Sequence, residues 1–168
     1  ENPKVTVRDY VFAEHNWHVY QAHERMVRWK NWVLIRNAFP ERQNLCMEGD
    51  PSHPSGAELW KMHAADKLNE NQLDIFLKPR PALELFDVSK DSHQLRNLAA
   101  DRQHAATLTK LTGLLDRWAD ETGDTVPRTP TPDRQTPQGK RFKGWKHATQ
   151  PGTERNATKI NHPGPIRD

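Results

Sequence analysis

PALELFDVSKDSHQLRNLA, running from Pro81 to Ala99, decides how the rest of the chain must be arranged. Pro79 and Pro81 fix φ and hold the backbone extended on entry. Leu83, Leu85, Phe86 and Val88 then surround Glu84 and Asp87, a short run suited to a strand with one buried face. Asp91 and Ser92 are both good N-cap residues, so the spacing predicts a short helix over His93–Leu98. Everything before this stretch has to pair with its strand or lie under its helices.

Working outward, Asp101 caps a predicted helix that runs to about Glu121. Its apolar positions Ala105, Leu108, Leu111, Leu115 and Trp118 form one amphipathic stripe, and Gly123 supplies a C-terminal stop. On the other side, Arg25–Asn37 (RMVRWKNWVLIRN) reads as a β-hairpin. Met26–Arg28 and Trp32–Arg36 are its arms, and Trp29-Lys30-Asn31 its turn. Val5–Phe12 has the β-branched and aromatic density of a strand. Glu14–Glu24 (EHNWHVYQAHE) has no clean period and reads as a loop with one helical turn. Ala38–Ser55, with Pro40, Pro51, Pro54 and Gly49, reads as a long loop. Gly56–His63 and Leu68–Leu77 have helical spacings, the second ended by Pro79.

The composition is polar for a single domain of 168 residues. Hydrophobic residues make up 34% and the mean hydropathy is −0.99, so part of the chain is expected to be extended or to need a cover. From Thr125 to the end, nine Lys/Arg stand against three Asp/Glu, a net of +6. The preceding residues carry 16 basic against 19 acidic groups, a net of −3. The basic character therefore belongs to a Pro-rich tail and gives no general argument for nucleic-acid binding. The tail is expected to pack on a surface or stay disordered. The single cysteine, Cys46, excludes an internal disulfide. No apolar run approaches the roughly 18 residues of a bilayer span, and no signal-peptide core is evident. A chain that starts at Glu1, inside a strand-like segment, reads as the middle of a larger protein.

Taken together, RMVRWKNWVLIRN, then ELFDVSKDSHQLRNLA, then LDRWADETGD resemble the C-terminal subdomain of sulfatases. The family's hairpin usually reads VRT-x-x-Y-K-Y-I-x-N, and its later stretch ELYDL-x-x-D-P-x-E-x-x-N-L-A. Within the family, HNWHVYQAHERMVR before the hairpin and the DRWADETGD ending look most similar to the heparan N-sulfatase (sulfamidase)-like branch. The resemblance covers about Lys4–Asp124. Trp29 stands where Thr is common, Ser92 where Pro is common and Gln94 where Glu is common; Ser92 can still cap, so these departures leave the fold expectation in place.

The resemblance implies an α+β unit: an antiparallel sheet of about four strands packed on the helix Asp101–Glu121, followed by an extended tail. It also implies three parts. Residues 1–24 would be a strand and loop leading from a catalytic domain, 25–124 the subdomain, and 125–168 the Pro-rich basic tail. The family's nucleophile is a Cys or Ser in a C/S-x-P-x-R motif, oxidised to formylglycine. Cys46 is followed by Met47-Glu48-Gly49-Asp50, without the Pro or the Arg, and is not that nucleophile. The family's calcium ligands and its catalytic Lys and His lie upstream of this region, so no catalytic or metal residue is assigned here. The expected cofactors, calcium and formylglycine, belong to the N-terminal catalytic domain, which is the expected partner together with a sulfated carbohydrate. The expected setting is periplasmic or secreted.

His15, His18, His23 and Arg25 are the candidates for contact with an anionic sugar. Arg gives bidentate, always-charged donors, and His adds donors to hydroxyl or sulfate oxygens. The competing reading is ordinary loop packing. His15-x-x-His18 could also present two metal ligands on a helical turn, with His23 or Glu14 as a third, but the segment has no helical period to hold them. Arg28 and Arg36 read as structural, through a solvated sheet face or a bridge to Glu84 or Asp87. Trp29, Trp32, Trp60 and Trp118 read as core and interface residues. Asn156-Ala157-Thr158 is a sequon that matters only on a eukaryotic secretory route.

Two functions follow. One is the C-terminal portion of a sulfatase acting on O- or N-sulfate of a sulfated glycan, inactive by itself. The other is a non-enzymatic α+β module whose tail KRFKGWKH (Lys140–His147) binds nucleic acid or an anionic glycan through interleaved basic and aromatic residues.

Overall fold

Alternation of apolar and polar residues places four strands side by side. A computed structural model describes residues 8–46 and 49–160. Strands β1 (Tyr10–His18), β2 (Tyr20–Trp29), β3 (Trp32–Asn37) and β4 (Leu83–Asp87) form one antiparallel sheet in the order β1-β2-β3-β4. Helix α1 (Pro54–Ala64) lies in the β3–β4 connection, and α2 (Ala105–Thr122) follows β4. This is the α+β architecture the sequence implied.

The register explains the core. Phe12 pairs with Val27, Val27 with Leu34 and Leu34 with Leu85, so one row of apolar side chains crosses all four strands. The stripe of α2 lies on that row. Val27, Leu34, Leu85, Leu111 and Leu115 are completely buried, with Phe12, Trp29, Trp32, Leu108 and Trp118 packed around them. Each such side chain contributes about 1.5–3 kcal/mol by leaving water. Gly123 ends α2 at φ 71°, a left-handed conformation in which glycine meets no Cβ penalty.

The hairpin lies where expected, with arms β2 and β3, but its turn is Lys30-Asn31 alone, because Trp29 stays in β2 and pairs with Trp32. Four further expectations are corrected. The first strand runs Tyr10–His18, later than Val5–Phe12; Val5–Val7 lie outside the described residues. Glu14–Glu24 is not a loop but the end of β1, a turn at Val19 and the start of β2. Here Ala22 and His23 of β2 together oppose Asn16 of β1, a bulge that shifts the alternation by one residue and so hides it in the sequence. Leu68–Leu77 is not a helix: only Asp74–Phe76 makes a 3₁₀ turn. Asn69 and Gln72 exchange side-chain hydrogen bonds with each other's backbone amides, which competes with a helical ladder. Nor is His93–Leu98 helical, because Gln94 sits at φ 56° and Asn97 is tied sideways to β4. Asn97 accepts from the Leu85 amide and donates to the Leu83 carbonyl. Arg36 bridges Asp116 of α2 at 2.5 Å, and Arg28 donates to the Lys30 carbonyl; neither reaches Glu84 or Asp87.

The Pro-rich tail folds back on the sheet and α2: Pro132–Thr136 lies over the β1–β2 end, and Gly152–Ile160 packs at the end of α2, where Arg155 donates to Asp120. The Arg134 amide donates to the Val19 carbonyl at 2.7 Å, and the Tyr20 hydroxyl to the Thr136 carbonyl at 3.2 Å. Gln135 is buried and donates to both Tyr20 and Asp50.

Candidate functional site

The four candidate residues all lie on β1 and β2, but the pleat divides them. His23 and Arg25 face α2. His15 is on the opposite, open face, and His18 is exposed at the hairpin tip.

Arg25 has 1% of its side chain exposed. Its Nε and Nη2 donate to the two carboxylate oxygens of Asp124 at 2.7 and 2.6 Å, and Nη1 donates to the Glu24 carbonyl at 2.8 Å. All three nitrogens are engaged, and Trp118 lies 6.0 Å from the guanidinium carbon. His23 is also buried, and its Nε2 donates to the Thr125 carbonyl at 3.1 Å. Burial pushes its pKa down, and the charge of Arg25 acts in the same direction. A neutral His23 with its proton on Nε2 satisfies this geometry. Both residues therefore hold the end of α2 and the start of the tail, and neither presents a free donor to a ligand.

His15 is different. Its Nδ1 lies 2.9 Å from Glu24 Oε2, its directly opposed residue on β2, and 43% of its side chain is exposed. Arg80 donates to Glu24 Oε1 at 2.5 Å. Burial alone would raise the Glu24 carboxyl, but the His15 hydrogen bond and the Arg80 charge outweigh it and hold the group below its ordinary range. An ionised Glu24 can only accept, so the proton sits on His15 Nδ1 and Nε2 remains for another group.

Glu24 and Arg80 also line a groove of about 940 Å³ on this open face, bounded by Ile35, Glu84, Phe86 and the turn His93–Asn97. Burial raises the Glu84 pKa in this groove; Asp74 and Glu24 add to the effect and Arg80 opposes it. The residues that sequence reasoning missed are the partners: Glu24, Arg80 and Asp124. Asp124 stands within the DRWADETGD ending, and its role could be read only once that ending was placed against β2.

Among the described residues, no group of three or more His, Cys, Asp or Glu side chains is placed to hold a metal ion. His15 engages Glu24 through Nδ1, and its Nε2 alone does not make a metal site. Cys46 is free and exposed in the loop before α1. Trp29, Trp32 and Trp118 pack on the core. Trp60 stands edge-on to Phe76 at 5.1 Å and donates to the Gly49 carbonyl. No helix among the described residues is long and apolar enough to cross a membrane.

No protein-family model matches the chain. It is similar to an ulvan-active sulfatase of Formosa agariphila, with 34% identity over 141 residues, 82% of this chain and 22% of that protein. Among solved structures it resembles a protein assigned as a sulfatase from Bacteroides thetaiotaomicron (20% identity, TM-score 0.43, 83% of this chain and 24% of that one). It also resembles a 2-O GAG sulfatase (18% identity, TM-score 0.44, 88% and 24%). The chain thus spans about a fifth of the length of the curated relative it matches. On the strength of that 34% identity across most of its length, the chain belongs to the sulfatase family.

Proposed function

We propose that this chain is the C-terminal subdomain of a sulfatase that releases sulfate, O- or N-linked, from a sulfated glycan in the periplasm or outside the cell. The observation that carries this reading is the 34% identity to an ulvan-active sulfatase over 82% of the chain. The formylglycine and calcium of such an enzyme are supplied by its catalytic domain, and this segment alone does not hydrolyse sulfate.

Its contribution is positional. The sheet and α2 form a rigid unit, and the Arg25–Asp124 pair fixes the β1–β2 end to it. His15 then presents Nε2 on the open face, and His18 stands exposed at the tip. Either can donate to a sulfate or hydroxyl oxygen when protonated, and a charged donor strengthens that bond roughly twofold over a neutral one. His23 and Arg25 act on the substrate only through the position of this edge. The branch resemblance makes N-sulfated glucosamine the first substrate to compare with O-sulfated sugars.

The test is sulfate release by the natural gene product that contains this segment, assayed on N- and O-sulfated glycans beside the 168-residue chain. The expected result is release by the former and none by the latter. His15→Ala and His18→Ala should raise KM several-fold with kcat little changed. Absence of release from every sulfated glycan would sink the reading, and unchanged KM in both variants would remove the rim contact.

A further inference from the structure

We infer that the groove between the β1–β2 tip and the tail segment Pro132–Lys146 is a binding site for a sulfated polysaccharide. The choice of a glycan rests on the sulfatase reading; the groove itself does not. It has a volume of about 450 Å³ and is lined by Gln21, Arg42, Asp133, Phe142, Trp145 and Lys146.

An aromatic platform forms one side. Trp17 of β1 stacks on Trp145 at 4.8 Å with 25° between the rings. Both indole nitrogens donate to one acceptor, the Pro132 carbonyl, at 3.0 and 2.8 Å. The polar edges of the pair are therefore satisfied and its orientation is fixed. Phe142, which lines the same groove as Trp145, is 51% exposed. A large apolar ring on the rim of a polar groove is the usual means of holding the C–H face of a sugar ring, and here an oriented indole shares that groove.

The segment that carries this platform is basic, with Arg42 and Lys146 lining the groove itself. Arg134–His147 carries five Lys/Arg (Arg134, Lys140, Arg141, Lys143 and Lys146) and no Asp or Glu. The Arg134 guanidinium lies 5.7 Å from the Trp17 ring, and its buried Nε has no hydrogen-bond partner. Asp133 is the one carboxylate in the groove. Its charge is offset by Arg42, and it accepts from the Gln21 amide at 2.7 Å.

This chemistry fits a sulfated sugar better than a nucleic acid. The two indoles are closed on each other at contact distance, which leaves no slot for a base between them. Asp133, its charge offset by Arg42, can accept from a sugar hydroxyl. Spaced cations, a hydroxyl acceptor and a flat apolar face match alternating sulfates, hydroxyls and ring faces.

The test is equilibrium binding of the full chain to dextran sulfate, unsulfated dextran and a single-stranded oligonucleotide of matched charge, at several salt concentrations. Dextran sulfate should bind, with affinity falling as salt rises, and unsulfated dextran should not. Phe142→Ala should weaken binding about tenfold with unchanged thermal unfolding. Lys143→Glu with Lys146→Glu should reduce both affinity and salt dependence. Equal or tighter binding of the oligonucleotide, or no effect of Phe142→Ala in the folded variant, would overturn the proposal. Because the readout is binding without turnover, loss of the sulfatase reading would leave this result standing, and the reverse also holds.

Discussion

Arg25 and Asp124, 99 positions apart in sequence, form a two-pronged ion pair whose side chains are 1% and 8% exposed. Removing one partner leaves the other buried and uncompensated. Arg25→Ala or Asp124→Ala should therefore cost about 3–5 kcal/mol in chemical denaturation. Arg25→Lys should recover only part of this, because an ammonium cannot span both oxygens. A loss below about 1 kcal/mol for Arg25→Ala would show that the pair is not closed off from water as described.

Arg36 and Asp116 provide the contrast. Their contact is as short, at 2.5 Å, but the side chains are 30% and 61% exposed. Solvent screening and lost side-chain freedom should limit Arg36→Ala to about 1 kcal/mol or less. Running both alanine variants in one denaturation series separates burial from distance as the determinant.

Acid should loosen the α2 anchor through His23. Its folded pKa is depressed below the ordinary 6.5 by burial and then by Arg25. The unfolded chain therefore takes up the proton first as pH falls. The stability contributed by neutral His23 is complete above about pH 6.5 and is lost progressively as pH drops through that value toward the lower folded pKa. His23→Gln should flatten the stability–pH curve in this window, and Asp124, Thr125 and Arg25 should be the neighbours whose NMR shifts follow it. A wild-type curve that stays flat as pH falls below 6.5 would rule this linkage out.

Gly56 is where α1 touches the loop before it. A Cβ added there would lie 2.0 Å from the Asp50 carbonyl oxygen, and backbone cannot swing aside as a flexible side chain can. Gly56→Ala should push α1 away and break the Trp60–Gly49 hydrogen bond. Hydrogen exchange should rise across Pro54–Ala64 while α2 stays protected. Equal protection in both helices of the variant would disprove the contact.

What could be read in the sequence was what obeyed a period. The hairpin arms alternate, and α2 carries its leucines three and four apart on one stripe, so both were legible without tertiary information. Tyr20–His23 was not, because the bulge changes which residues are buried from every second to the third. His93–Leu98 and Leu68–Leu77 had helical composition but lost their backbone amides or their geometry to Asp91, Asn97, Asn69 and Gln72. The Arg96 amide, for example, is taken by Asp91 at 2.8 Å. Among the site residues, the chemical types were readable but their sides were not. A histidine on β1 and an arginine on β2 read alike until the pleat sends one to the open face and the other against α2.

The ties between the β1–β2 tip and the chain's last third carry a consequence for biosynthesis. Trp17, Tyr20, His23 and Arg25 find their partners at Pro132, Thr136, Thr125 and Asp124, some 99 to 116 positions later. Closing loops of that length costs entropy before any contact repays it. On a translating ribosome the first hairpin must wait, with its indole and imidazole rings uncovered, until the Pro-rich segment has emerged. Docking of the tail is then a late step in maturation, and a nascent chain halted before Asp124 is the species most in need of a chaperone.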